Sequence, residues 1–146
     1  MNIEQQVCTS VQGERIEELL GGDVKSYFQW IRVDGRLHVM PTDVPEGFKF
    51  TLPDLATTYY GPAFTVAELG VTLPYEVRTY KWSDGFGLSV ESPLCHKIDL
   101  NLDVSQNLFK VYDTEAEARA AMLIYLLENN LCTAEEVNKR LNKSQH

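Results

Sequence analysis

The longest apolar run lies toward the C-terminus, where residues 120–127 read Ala-Ala-Met-Leu-Ile-Tyr-Leu-Leu. Thr114 with Glu117 three residues later forms a capping-box pattern ahead of it. Asn129-Asn130 closes it, since Asn tolerates a left-handed cap. At 100° per residue, Leu126 and Ile124 fall on nearly opposite sides, so this helix needs cover on both. Thr9 and Gln12 make a second capping box, opening a helix over 10–20 with one stripe (Ile16, Leu19, Leu20) and a Gly21-Gly22 stop. Thr65 with Glu68 starts a short helix over 66–69. Thr133 with Glu136 starts an amphipathic one over 134–141, which leaves 142–146 as a frayed tail.

Between the helices the period changes to two. Asp34-Gly35 splits 26–40 into two apolar-aromatic runs, a strong signal for a type I′ hairpin. A two-residue loop pairs Val33 with Arg36, Ile31 with His38 and Trp30 with Val39. Phe28, Trp30, Leu37 and Val39 then share the face expected to be core, and His38 falls on the other. Residues 41–62 hold four prolines and two glycines and read as irregular, with a possible short helix start at Leu52-Pro53. A second hairpin joins 75–82 to 86–90 through a three-residue loop, Ser83-Asp84-Gly85. Residues 96–104 alternate most cleanly, with Ile98, Leu100, Leu102 and Val104 opposite Lys97, Asp99, Asn101 and Asp103. A last strand is expected over 108–112.

Strands in hairpins with helices grouped at the chain ends predict the α+β class. The expected layout is one antiparallel sheet of five or more strands, with N- and C-terminal helices packed on one face. At 146 residues the chain suits a single domain, 1–146, with no linker or repeat. The first helix would cover one side of the 120–127 run and the sheet the other, a three-layer burial that needs no partner.

Charge narrows the function. The net charge is −8, and both halves are acidic: 5 basic against 10 acidic residues up to Leu73, then 8 against 11. With no basic tract to displace counterions, nucleic acid and anionic membrane surfaces are poor partners. The apolar run is far short of the roughly 18 residues that span a bilayer. The start has no basic n-region followed by an apolar stretch, and Cys8, Cys95 and Cys132 lack metal-type spacing. A cytoplasmic location is the expectation.

No catalytic constellation emerges, and no cofactor or metal is expected. Asp99-x-Asn101-x-Asp103-x-Ser105 resembles half of a calcium loop but has Val104 in place of the required Gly and Lys110 in place of the Glu. Cys95-His96 on a regular strand would point to opposite faces. Gly85-Phe86-Gly87 lacks the rest of a dinucleotide fingerprint. The mild surplus is aromatic. Tyr80 and Trp82 share a strand face with Glu76 and Arg78, the composition of an interface hot spot, or equally of a second covered sheet face. Tyr59 and Tyr60 offer a weaker version, so the candidate interaction surface is Tyr59, Tyr60, Arg78, Tyr80 and Trp82.

Three segments together carry a likeness: Cys8-Thr9-Ser10, then Pro62-Ala63-Phe64-Thr65-Val66 with Leu69 and Leu73-Pro74, then 118–131 ending Leu-Leu-Glu-Asn-Asn-Leu. In these the chain resembles a family of small uncharacterised proteins from gut Bacteroidetes and their prophages. Phe64 and Asn130 stand where similar proteins have Trp and Gly. The resemblance implies a mobile-element setting and the same α+β layout, and it supplies no activity. The expected function is that of a non-enzymatic, cytoplasmic accessory factor that binds another protein, as a monomer or weak homodimer. The alternative is a small-molecule-binding or enzymatic domain with its site between 41–62 and the aromatic face.

Overall fold

The computed structural model describes residues 2–22, 24–43, 57–98 and 108–144. Helix α1, Ser10–Leu19, starts at the Thr9–Gln12 capping box, with both reciprocal hydrogen bonds formed. Gly21 and Gly22 follow at positive φ and end it. Strands β1, Phe28–Val33, and β2, Arg36–Pro41, pair antiparallel in the anticipated register about Asp34 and Gly35, both at positive φ. Helix α2, Val66–Thr72, opens at the Thr65–Glu68 box. Helix α3, Glu115–Glu128, is capped by Thr114 and closes through Asn129, with Asn130 left-handed at φ 57°.

Helix α3 is the centre of the molecule. It packs against α1, α2 and the second hairpin. Ala116, Ala118, Ala120, Met122, Leu123 and Leu126 are almost wholly buried beside Ile16, Phe64 and Leu69. Its two sides are not covered equally. Leu126 is fully enclosed, whereas Ile124 is half-buried and lines a shallow cleft of about 350 Å³ with Leu108, Tyr112 and Tyr125. Helix α4, Ala134–Ser144, lies on α2. It runs past the expected end at 141 to Ser144, with Leu141 buried and Asn138 donating to the Leu20 carbonyl; residues 145–146 of the expected frayed tail lie outside the described residues.

The class is α+β, but the sheet differs from expectation. Instead of one sheet of five or more strands there are two, a three-stranded β2–β1–β3 and a two-stranded β4–β5. Strand β3, Thr57–Pro62, falls in the stretch read as irregular and pairs with the free edge of β1. Gly61, at φ 122°, and Pro62 hide it from pattern reading, although Thr57 to Tyr60 are all strand-favouring types. Helix α1 seats on β3 through two backbone approaches. A Cβ on Gly13 would collide with the Pro62 carbonyl, and one on Gly61 would press on the Glu14 backbone. A helix-interior glycine costs about 1 kcal/mol in propensity, and here it gives the helix access to the strand.

The buried face of the first hairpin is also reversed. Ile31 and Val33 are enclosed, while Phe28, Trp30 and Val39 are half-buried and Leu37 is exposed. Trp30 sits at the rim because its indole N–H donates to the Cys8 carbonyl at 2.9 Å. His38 is exposed although it pairs with the enclosed Ile31 and so shares its face.

Strands β4, Val77–Trp82, and β5, Gly85–Val90, close around two residues, not three: Gly85 pairs with Trp82. Gly85 joins the ladder at φ 155°, leaving room for the Tyr112 carbonyl where a Cβ would stand. Two expected strands do not form as read. Leu94–His96 is a 3-10 turn whose backbone donors go to Glu91, Pro93 and Leu94, so the alternation begun at His96 does not start a strand there. Residues 99–107, including the calcium-like pattern, lie outside the described residues, as do 44–56 with Leu52-Pro53. Across 108–112 only Tyr112 pairs, in an isolated bridge to Phe86. Its hydroxyl donates back to the Leu108 carbonyl at 2.6 Å, which curls the segment.

Candidate functional site

The second hairpin has one covered and one open face. Leu88, Phe86 and Val77 turn toward α3, and the Thr79 hydroxyl donates to Glu115. Glu115 also receives Arg119 at 2.8 Å, and Arg119 reaches the Val66 carbonyl, so this side is stitched to α2 and α3. On the other side Tyr80 and Trp82 meet edge to face, with ring centroids 5.2 Å apart. They remain 41% and 52% exposed. Opposite them across the ladder are Gly87 and Gly85, and at Gly87 no side chain shields the rings. A Cβ on Gly87 would come within 2.5–2.8 Å of both rings, so the pair lies over the bare backbone of β5. Arg78 extends this face and pairs with Glu91 at 3.3 Å, an exposed contact of small energetic weight.

The other two candidate residues are elsewhere. Tyr59 and Tyr60 lie on β3 of the three-stranded sheet, so the five residues do not form one patch. Tyr59 donates to Glu17 of α1 at 2.8 Å; burial, then that carboxylate, raises its hydroxyl well above the ordinary tyrosine range. Tyr60 accepts from Arg32, whose guanidinium carbon stands 5.2 Å from its ring. Tyr59 thus ties β3 to α1, and Tyr60 ties it to β1.

The Cys95–His96 pair is closer to chemistry than a strand would allow. In the 3-10 turn the Ser92 hydroxyl lies 3.0 Å from His96 Nε2 and 3.3 Å from Cys95 Sγ. Among the described residues no carboxylate holds the His96 ring, and the group sits on the exposed surface, so it lacks the oriented base of a nucleophile system. The other thiols are buried. Burial pushes Cys8 up to about 12. It raises Cys132 too, with Glu136 adding to the rise and Arg140 opposing it.

Sequence reasoning missed the contrast between two buried glutamates. Glu68 is fully served: Oε1 is 3.0 Å from the Ser26 hydroxyl and accepts Thr65 N–H, and Oε2 accepts Tyr27 N–H. Glu76 is 8% exposed, and among the described residues its Oε2 has no hydrogen-bond partner. It lines a cleft of about 140 Å³ where the start of β4 meets the 93–97 turn, the α3–α4 connection and α4. The sequence pattern sets Glu76 on the strand face of Tyr80 and Trp82; β4 begins at Val77 instead, Glu76 is buried, and the other walls of the cleft come from distant segments.

Among the described residues no group of three or more His, Cys, Asp and Glu is placed to hold a metal ion, and no helix is long and apolar enough to cross a membrane. No family model, curated protein or solved structure matches the chain.

Proposed function

We propose that the protein is a non-enzymatic cytoplasmic factor that binds another protein through the open face of the β4–β5 hairpin. The observation that carries this reading is the exposed Tyr80–Trp82 pair over Gly87. Two large rings held against each other present apolar area at low entropic cost, and Arg78 adds a charged edge. The likeness to prophage-borne proteins supports placing it among phage or mobile-element accessory factors. A net charge of −8 favours a partner with a basic rim around the pocket that receives Trp82.

Tyr59 and Tyr60 drop out of the proposed surface, because α1 and Arg32 already engage them. The small-molecule alternative gains its support from the Glu76 cleft rather than from 41–62 and the aromatic face. Affinity capture from the native host, wild type against Trp82→Ala and Tyr80→Ala, tests the reading. A genuine hot spot loses about 2 kcal/mol or more, roughly a thirtyfold weakening. Partners captured equally by all three proteins, each shown folded by circular dichroism, would sink it.

A further inference from the structure

The Glu76 cleft stands apart from the aromatic face, and its chemistry is specific. A carboxylate oxygen shut away from water needs a donor, and among the described residues none supplies one to Glu76 Oε2. Charged side chains of both signs line the same cleft: Glu76 and Glu136, Lys97 and Arg140. Among the described residues none of the four is in an ion pair. Arg140 is instead held by donating through Nη1 to the Thr72 carbonyl at 2.9 Å. Leu94 and Leu131 complete the wall with apolar surface.

Two acids and two bases around one space decide the ligand. A simple cation would satisfy Glu76 but face Lys97 and Arg140; a simple anion would meet the reverse difficulty. A molecule carrying both an ammonium and a carboxylate serves both sets at once. A volume of about 140 Å³ matches roughly four or five waters at liquid density, which limits the ligand to a small one. We propose that this cleft binds a small zwitterion of the amino-acid class, with its ammonium donating to Glu76 and its carboxylate facing Arg140 and Lys97.

Titration of the isotope-labelled full chain with glycine, alanine, methylammonium and acetate, followed by amide NMR shifts, tests this. Glycine or alanine is expected to give saturable shifts at Glu76, Lys97, Cys132 and Arg140, with the two single-charge probes binding several-fold more weakly. Glu76→Gln removes the charge that receives the ammonium and should weaken binding by about tenfold or more. Glu136→Gln, on the exposed side of α4, is a second variant that leaves the buried wall intact, and it should weaken binding by a smaller factor. No saturable shift in the wild-type chain overturns the proposal and leaves the cleft to solvent. Undiminished binding in both variants, or methylammonium binding as tightly as alanine, overturns it as well.

Discussion

The two hairpins use the same vocabulary, a tight turn with Gly and a Trp on the first strand, to opposite ends. In the first, Trp30 gives its indole N–H to the Cys8 carbonyl, and a third strand and α1 lie against the sheet. In the second, Trp82 leans on Tyr80 above glycine backbone and stays open to solvent. What separates a structural tryptophan from an available one is the occupant of its polar handle and the residue across the ladder. Residue type is the same in both, but Trp30 lies inside β1, paired with Val39 and Gly61, whereas Trp82 ends β4 beside the turn, paired with Gly85.

The close approaches differ in kind as well, and this sets the largest expected effect. Gly13 meets the carbonyl of Pro62, an atom fixed by the β1–β3 ladder. Gly13→Val would force α1 off β3 and cost about 3 kcal/mol, the upper end of ordinary overpacking. Urea denaturation would read this as a lower midpoint at unchanged slope. A loss below about 0.5 kcal/mol, the range of neutral surface changes, would mean that the helix and strand do not pack as described.

Next in size is the paired substitution of the two tryptophans. Trp30→Phe leaves the Cys8 carbonyl without its donor and should cost about 1–3 kcal/mol. Trp82→Phe keeps an aromatic ring on an exposed face and should stay within about 0.5 kcal/mol. Equal losses from the two would break the distinction between the covered and the open hairpin.

How much of this was legible follows from how local each feature is. The capping residues Thr9, Thr65, Thr114 and Thr133 all accept from the backbone three residues on, because that chemistry is complete within one turn. The β1–β2 register was legible for the same reason, Asp34-Gly35 fixing the pairing of every residue after it. Which strand edges meet was not. Period-two patterning marks faces and leaves edges unassigned, so nothing in it divides five strands into sheets of three and two. The choice of Ile31 and Val33 over Trp30 for the buried face depended on an N-terminal segment reaching back to hold the indole. Exposure of Tyr80 and Trp82 was one of two open alternatives, settled by what fails to cover them. The Glu76 cleft brings together residues 76, 97, 136 and 140, and no spacing along the chain announces that meeting.

The smallest expected effect on stability tests the open face most directly. Gly87 is close to the far ends of two side chains, Tyr80 and Trp82, which can swing outward, whereas Gly13 confronts backbone. Gly87→Ala therefore displaces the rings without prising elements apart. The gain from restricting the unfolded chain partly offsets the disturbed packing, so stability should change by less than about 0.5 kcal/mol. The optical consequence is larger than the energetic one. Tyr80 and Trp82 sit 5.2 Å apart at 64°, and moving them apart should reduce the near-ultraviolet circular dichroism that such a fixed pair contributes. The methyl should also weaken partner capture as Trp82→Ala does, with the fold intact. An unchanged spectrum in a stable Gly87→Ala protein would show that the rings do not rest on the β5 backbone, and the open hairpin would lose the feature that sets it apart from the covered one.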